Sequence, residues 1–228
     1  RSTPKPSSAA SDVYKRQLYK AVLQLKGATA EYVWHTSTNL DRFDVILIPG
    51  GFTYGDYLRP GALAGVSPLI SSVKKAAKSG KLILGICNGF QILIEAGLLP
   101  GALLPNQNLQ FICDVVPVKV AQSDSPFTSS YQLGNVLRLP IAHSSGNYYC
   151  DEVTLKKLEV NGQIAFCFPP QNNPNGSAGG ITGLLNEQRN VLGMMPHPER
   201  AVKQWLGSTD GFGLFESMLE NHTALLNV

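Results

Sequence analysis

Residues 82–97 read LILGICNGFQILIEAG. Lys81–Ile86 is a near-continuous apolar run, as expected of a strand buried on both faces. Cys87 follows it directly. From Asn88 to Ala96 the apolar residues take a helical period, and Gly97 stands where a helix would stop. Strand, turn and helix in so short a span make an elbow, the device that presents a nucleophile at the edge of an α/β sheet. Gly85 and Gly89 keep both sides of the turn small, so the two backbones can approach closely.

The same rhythm extends outward. Val13 to Lys26 reads as a helix ending at Gly27. Ala30–Trp34 and Asp44–Ile48 read as strands, and Ser67–Ser79 as a helix closed by Gly80. Alternating strands and helices predict a parallel sheet covered by helices. Farther on, Phe111–Val120, Asn135–Ile141 and Gln163–Phe168 read as strands joined by turns, an antiparallel addition. Val191–Met195 is again a strand, and a last helix runs from about Gly211 to Leu225. The expected fold class is α/β, a mostly parallel sheet flanked by helices with a small antiparallel addition, in one domain over residues 18–228.

Residues 1–17, RSTPKPSSAASDVYKRQ, are rich in Ser, Pro and Ala and read as a disordered or non-native leader. The leader accounts for the formal net charge of +3: it holds Arg1, Lys5, Lys15 and Arg16 against Asp12. The remainder sums to zero, so no global charge argues for nucleic acid or an anionic membrane as partner. No apolar run reaches transmembrane length. Cys87, Cys113, Cys150 and Cys167 form no C-x-x-C pair, so zinc spacing is absent and no metal is expected. A reducing, cytoplasmic compartment is the simpler reading. The glycosylation sequons at Asn175 and Asn221 read as chance matches.

Cys87 at a helix N-terminus has the positive end of the dipole beside it, which favours the thiolate, the form that attacks a carbonyl carbon. The elbow by itself leaves open a buried structural cysteine at a strand end. The other three cysteines have no such context and read as structural. A thiolate nucleophile needs a base that later serves as acid for the leaving group. His197 lies in NVLGMMPHPERA, just past an apolar strand, in a loop that would open at the same sheet edge as Cys87. Glu199 is two positions on. In an extended segment it would point the same way and fix the imidazole's tautomer. His35 and His222 have no comparable setting. His143, ending a strand in PIAHSSGNYY, is a further candidate for the cleft.

The loop PGGFTYGDYLRPG after Asp44–Ile48 lacks both the Lys-Ser/Thr of a P-loop and dinucleotide spacing. It fits an oxyanion hole, with N–H groups of Gly50, Gly51 and Phe52 and that of Asn88 facing a tetrahedral intermediate at Cys87. A plain turn is the alternative.

Together, CNGFQ at Cys87–Gln91 and HPE at His197–Glu199 resemble the class I (triad) glutamine amidotransferases, with their flavodoxin-like sheet. The longer stretches PGGFTYGDYLRPGALA, GICNGFQIL, PIAH, NPNGS and NVLGMMPHPERA are similar to the glutaminase subunits of phosphoribosylformylglycinamidine synthase, from about Leu18 onward. The resemblance implies glutamine hydrolysis through a thioester on Cys87. His197 would be base and acid, Glu199 would orient it, and Gln91 would help bind glutamine. Ammonia would pass to a large synthetase subunit, which uses ATP and Mg to amidate formylglycinamide ribonucleotide in purine biosynthesis. A small accessory subunit would join the complex, and this chain itself would need no cofactor.

Two departures from the family stand out. A first strand of the type KIAVIVFPG, internal to a flavodoxin-like sheet, has the leader in its place, and lower stability than in a relative carrying that strand is expected. His143-Ser144-Ser145-Gly146 stands where H-G-E-G is usual, which puts the geometry of the glutamine pocket in question. Two other readings are a catalytically impaired fragment or regulatory subunit, which the intact Cys/His/Glu set disfavours, and a Cys-elbow hydrolase of a related fold. Gln91 and the HPE spacing disfavour the second.

Overall fold

The computed structural model describes residues 15–52 and 59–226. Helix α1 spans 15–22 and ends in turns up to Gly27. After it come β1 (Val45–Ile48), α2 (Ala62–Gly65), α3 (Pro68–Lys78), β2 (Leu82–Ile86) and α4 (Asn88–Glu95). The middle of the chain holds β3 (Ala102–Leu104), β4 (Ile112–Val120), β5 (Val136–His143), β6 (Asn147–Tyr149), α5 (Glu152–Val160) and β7 (Ile164–Cys167). It closes with β8 (Ile181–Leu185), β9 (Val191–Met194) and α6 (Phe212–Leu226).

Seven strands form one sheet in the order β1-β2-β9-β8-β7-β4-β5, and β3 pairs with β6 in a small second sheet. The pairs β1–β2 and β2–β9 are parallel. From β9 to β5 the ladder is antiparallel. The expected α/β architecture is therefore present, with the antiparallel addition built onto the parallel strands. All five residues of β2 are buried, and Ile83, Leu84, Ile86, Phe90 and Leu93 are fully so. Each such side chain stabilises the fold by roughly 2 kcal/mol through burial.

Helix ends follow the glycine signals. In α3, α4 and α5 the N–H of Gly80, Gly97 and Gly162 and that of the following residue reach back to close the last turn. Each glycine has positive φ. This is the Schellman arrangement, which glycine adopts without a Cβ clash.

Three expectations need correction. Ala30–Trp34 is no strand. Among the described residues nothing pairs with the outer side of β1, so this segment has no ladder to join, and β1 itself is only half-buried. The connection between β6 and β7 is a helix rather than a turn: Asp151 caps α5 by accepting from the Thr154 N–H at 2.7 Å. Only Leu158 of α5 is buried, so its apolar period is faint. The third is the set of strands: β8, absent from the expected elements, is a buried strand that completes the sheet between β7 and β9. Of the proposed leader, Lys15–Gln17 begin α1, and the rest lies outside the described residues, as does Val13.

Candidate active site

Parallel register aligns the carboxyl ends of three strands. Ile48 of β1 stands beside Gly85, and Ile86 of β2 beside Met194 of β9. Gly50–Phe52, Cys87 and His197 thus leave the sheet at one edge, where open α/β sheets carry their sites.

Cys87 has φ 52° and ψ −107°. Few L residues hold such a conformation, and it costs about 1–3 kcal/mol. Two hydrogen bonds pin it: the Cys87 N–H donates to Met194 O at 2.7 Å, and the Gln91 N–H donates to Cys87 O at 3.2 Å. The glycines make room. A Cβ on Gly89 would lie 2.1 Å from Ile48 O, and one on Gly85 would lie 2.5 Å from Leu93 Cδ1. The elbow is strained and tightly packed, as a nucleophile elbow is.

The sheet curls until β5, its last strand, meets the loop after β9. The His197 N–H donates to Pro140 O at 2.7 Å, and the Cys87 thiol donates to Ala142 O at 3.8 Å. His197 Nδ1 lies 2.7 Å from Glu199 Oε1, with both side chains 1% exposed. The backbone between them is not extended: Pro198–Arg200 is one 3-10 turn, with Pro198 at its first position. The fixed φ of proline suits that turn, and the turn rather than strand alternation carries Glu199 to the ring. A Cβ on Gly50 would lie 2.9 Å from His197 Cε1 and 3.4 Å from Cys87 Cβ. Gly50 is thus wedged between the two groups.

Gly51, Phe52, Cys87, Gln91 and Ala142–Ser145 line a narrow cleft at the thiol. Gln91 ties its floor to its wall: its Oε1 accepts from Asn88 Nδ2 at 2.9 Å, and its Nε2 donates to Ser145 O at 2.8 Å. Ser144 O accepts from the Asn106 N–H. Both serines make these contacts through backbone carbonyls, which do not depend on the side chain. Serine in place of Gly-Glu therefore leaves them intact. His143 lines the cleft and is 3% exposed. The structure brings Gly50, Gly51, Phe52, Asn88, Gln91, His143, His197 and Glu199 around Cys87, while residues 53–58 of the glycine loop lie outside the described residues. Cys113, Cys150 and Cys167 sit elsewhere with free thiols. Asn175, in one sequon, is buried, so the chance reading of that sequon fits.

Sequence reasoning missed Asn106 and the roles of Asn175 and Ser177. Asn175 Nδ2 donates to Gly146 O at 2.7 Å, and Ser177 Oγ donates to Asn175 Oδ1 at 2.7 Å. NPNGS thereby holds the turn beyond His143. Asn106 sits in a loop without any motif, and only the folded chain shows its neighbours.

The two buried histidines are driven in opposite directions. Burial lowers His143 to about 4, helped by the charge of His197. For His197 burial also disfavours the charge, but Glu199 and Cys87 outweigh it and raise the ring to about 10. Stability should follow both. An unfolded histidine takes up its proton near 6.5. The His143 contribution is therefore complete above that pH and lost as pH falls toward 4, by up to about 3 kcal/mol. The His197 contribution is complete below 6.5 and lost as pH rises toward 10. Thermal melts against pH should peak between pH 6 and 7, and His143→Gln should flatten the acid side. A melting temperature that climbs steadily into alkaline pH would contradict this.

Residues 14–213 match the model of the CobB/CobQ-like glutamine amidotransferase domain. The chain belongs to this family of glutamine amidotransferases. The structure of PurLQS from Thermotoga maritima is 44% identical, with a TM-score of 0.82, over 90% of this chain and 92% of that one. Fold likeness extends farther. The glutaminase domain of a CTPS from Trypanosoma brucei is 15% identical, with a TM-score of 0.60, over 95% of this chain and 91% of that one. A glutamine amidotransferase from Thermotoga maritima is 16% identical, with a TM-score of 0.55, over 86% and 83%. These two show the fold alone. The family match and the PurLQS structure bear out the resemblance to glutaminase subunits of phosphoribosylformylglycinamidine synthase. As such an amidotransferase, the chain hydrolyses glutamine to supply ammonia for purine biosynthesis.

Proposed function

We propose that Cys87, His197 and Glu199 carry out this hydrolysis as nucleophile, acid–base and orienting group. The contact between His197 Nδ1 and Glu199 Oε1, sealed from solvent beside the Cys87 elbow, carries the reading. A buried ion pair adds little net stability, because desolvation offsets the attraction. Such a pair next to a strained nucleophile instead points to chemistry.

The steps follow from the geometry. Cys87 as thiolate attacks the side-chain amide carbon of glutamine. Negative charge on the amide oxygen is met by backbone N–H groups of Gly51 and Phe52, with those of Gly50 and Asn88. His197 as imidazolium gives its proton to the leaving nitrogen, and ammonia departs from a γ-glutamyl thioester. His197, now neutral, takes a proton from water, which attacks the thioester. Glutamate leaves and the thiolate–imidazolium pair is restored. Glu199 holds the ring through Nδ1, so Nε2 is the nitrogen that moves the proton. Gln91 and His143 shape the pocket for glutamine.

Ammonia then reaches a large synthetase subunit that consumes ATP with Mg, assembled with a small accessory subunit, in the cytoplasm. The likeness to PurLQS from Thermotoga maritima supports assembly of this kind. Among the described residues no helix is long and apolar enough to cross a membrane.

Glu199→Gln tests the assignment. The amide cannot stabilise the imidazolium, so glutamine-dependent kcat/KM of the complex should fall roughly a hundred-fold or more, while ammonia-dependent turnover holds. An undiminished rate with glutamine would remove Glu199 from the site.

A further inference from the structure

Asn106 is fully buried, and its side chain meets four groups around His143. Its Nδ2 donates to Gln110 O at 2.8 Å and to His143 O at 2.9 Å. Its Oδ1 accepts from the Gly146 N–H at 3.0 Å and lies 3.0 Å from His143 Nδ1. Two backbone carbonyls and one backbone N–H fix which end of the amide is which, since a flipped amide would face each with a like group. His143 Nδ1 therefore meets an acceptor and must carry the proton. Nε2 is left with a lone pair, and among the described residues it is buried with no hydrogen-bond partner. The ring lies against the backbone of Gly146, where only glycine leaves it room: a Cβ there would lie 2.3 Å from His143 Cε1. A buried acceptor without a partner is costly and calls for a ligand.

We propose that Asn106 is a positioning residue that locks His143 with its proton on Nδ1, so that Nε2 stands in the cleft wall as a fixed acceptor for an N–H group of bound glutamine. The inference rests on the glutamine reading of this site. Glutamine's nitrogen groups are its donors, on the α-ammonium and the side-chain amide, and both seek an acceptor. A protonated His143 would present a donor and a positive charge instead. The titratable groups near His143 are His197, whose charge acts on it, and Cys87 across the cleft. Both are common to wild type and the two Asn106 variants.

The test compares wild-type, Asn106→Asp and Asn106→Leu chains in the assembled complex, following glutamine- and ammonia-dependent turnover across pH. Asn106→Leu removes every side-chain hydrogen bond and should lower kcat/KM for glutamine about ten- to a hundred-fold at all pH values. Asn106→Asp keeps the acceptor at Nδ1–H while setting its other oxygen against Gln110 O and His143 O; as a carboxylate it favours the imidazolium and puts a proton on Nε2. Its acid limb should shift to higher pH, with activity recovering toward alkaline pH as Asn106→Leu does not. If Asn106→Leu fails to melt cooperatively, the Asn106→Asp profile decides. A wild-type profile and wild-type kcat/KM in Asn106→Asp overturn the inference. Cys87→Ser, run alongside, separates the two readings: if it still uses glutamine, the site assignment itself fails, and if it is silent, only the role of Asn106 is at stake.

Discussion

Cys87→Ser should abolish glutamine-dependent turnover of the complex, by about 10⁴-fold or more, and leave ammonia-dependent turnover intact. The elbow carries one group that can form a covalent intermediate. A serine hydroxyl in its place would have to lose a proton to His197, which Glu199 holds as the imidazolium rather than as a free base. Cys113, Cys150 and Cys167 do not line the cleft at the elbow. Retained glutamine use in Cys87→Ser, with ammonia use unchanged, would place the chemistry elsewhere.

The second large effect is structural. Gly89 lies in the first turn of α4, where helix propensity alone would make Gly89→Ala stabilising by about 1 kcal/mol. Sterics reverse the sign. The new Cβ would stand 2.1 Å from Ile48 O and 2.9 Å from Ile48 C, backbone atoms of β1 that cannot rotate away. Either β1 or α4 must shift, and the cost should be about 3 kcal/mol, a fall in melting temperature of roughly 10 °C. A shift of α4 also moves Cys87 from His197, so glutamine use should fall more than stability alone explains. A melting temperature at or above wild type would show that the close approach of β1 and α4 is not the constraint described.

Gly89 also shows which parts of the molecule could be read before folding. Its smallness, the apolar run before Cys87 and the glycine after Ala96 are local signals, and each matches a local cause in the structure. Cys87, His197 and Glu199 were legible because two motifs sit at strand ends that parallel register brings to one edge. Elements were lost where the local signal was weak. Helix α5 buries one residue, though Asp151 and Gly162 mark its two ends. Ala30–Trp34 has the composition of a strand, but composition does not supply a partner. The contact between His197 and Glu199 was expected for the wrong reason, since a proline-led 3-10 turn places the carboxylate. Asn106 was invisible because its importance comes from β5 curling back over the elbow, a tertiary event that no spacing encodes. The serines of the His143 turn mattered less than their side chains suggested, since the backbone makes the contacts.

The most direct test of the account is to look for the covalent intermediate. The complex is mixed with isotopically labelled glutamine, quenched in acid, digested and analysed by mass spectrometry. His197→Asn is run alongside, since the mechanism uses His197 both to form the thioester and to hydrolyse it. The account predicts a labelled γ-glutamyl group on the peptide that contains Cys87 in the wild type, and none with Cys87→Ser. A label on the peptide of Cys113, Cys150 or Cys167, or turnover of glutamine with no label on Cys87 under either condition, would contradict it.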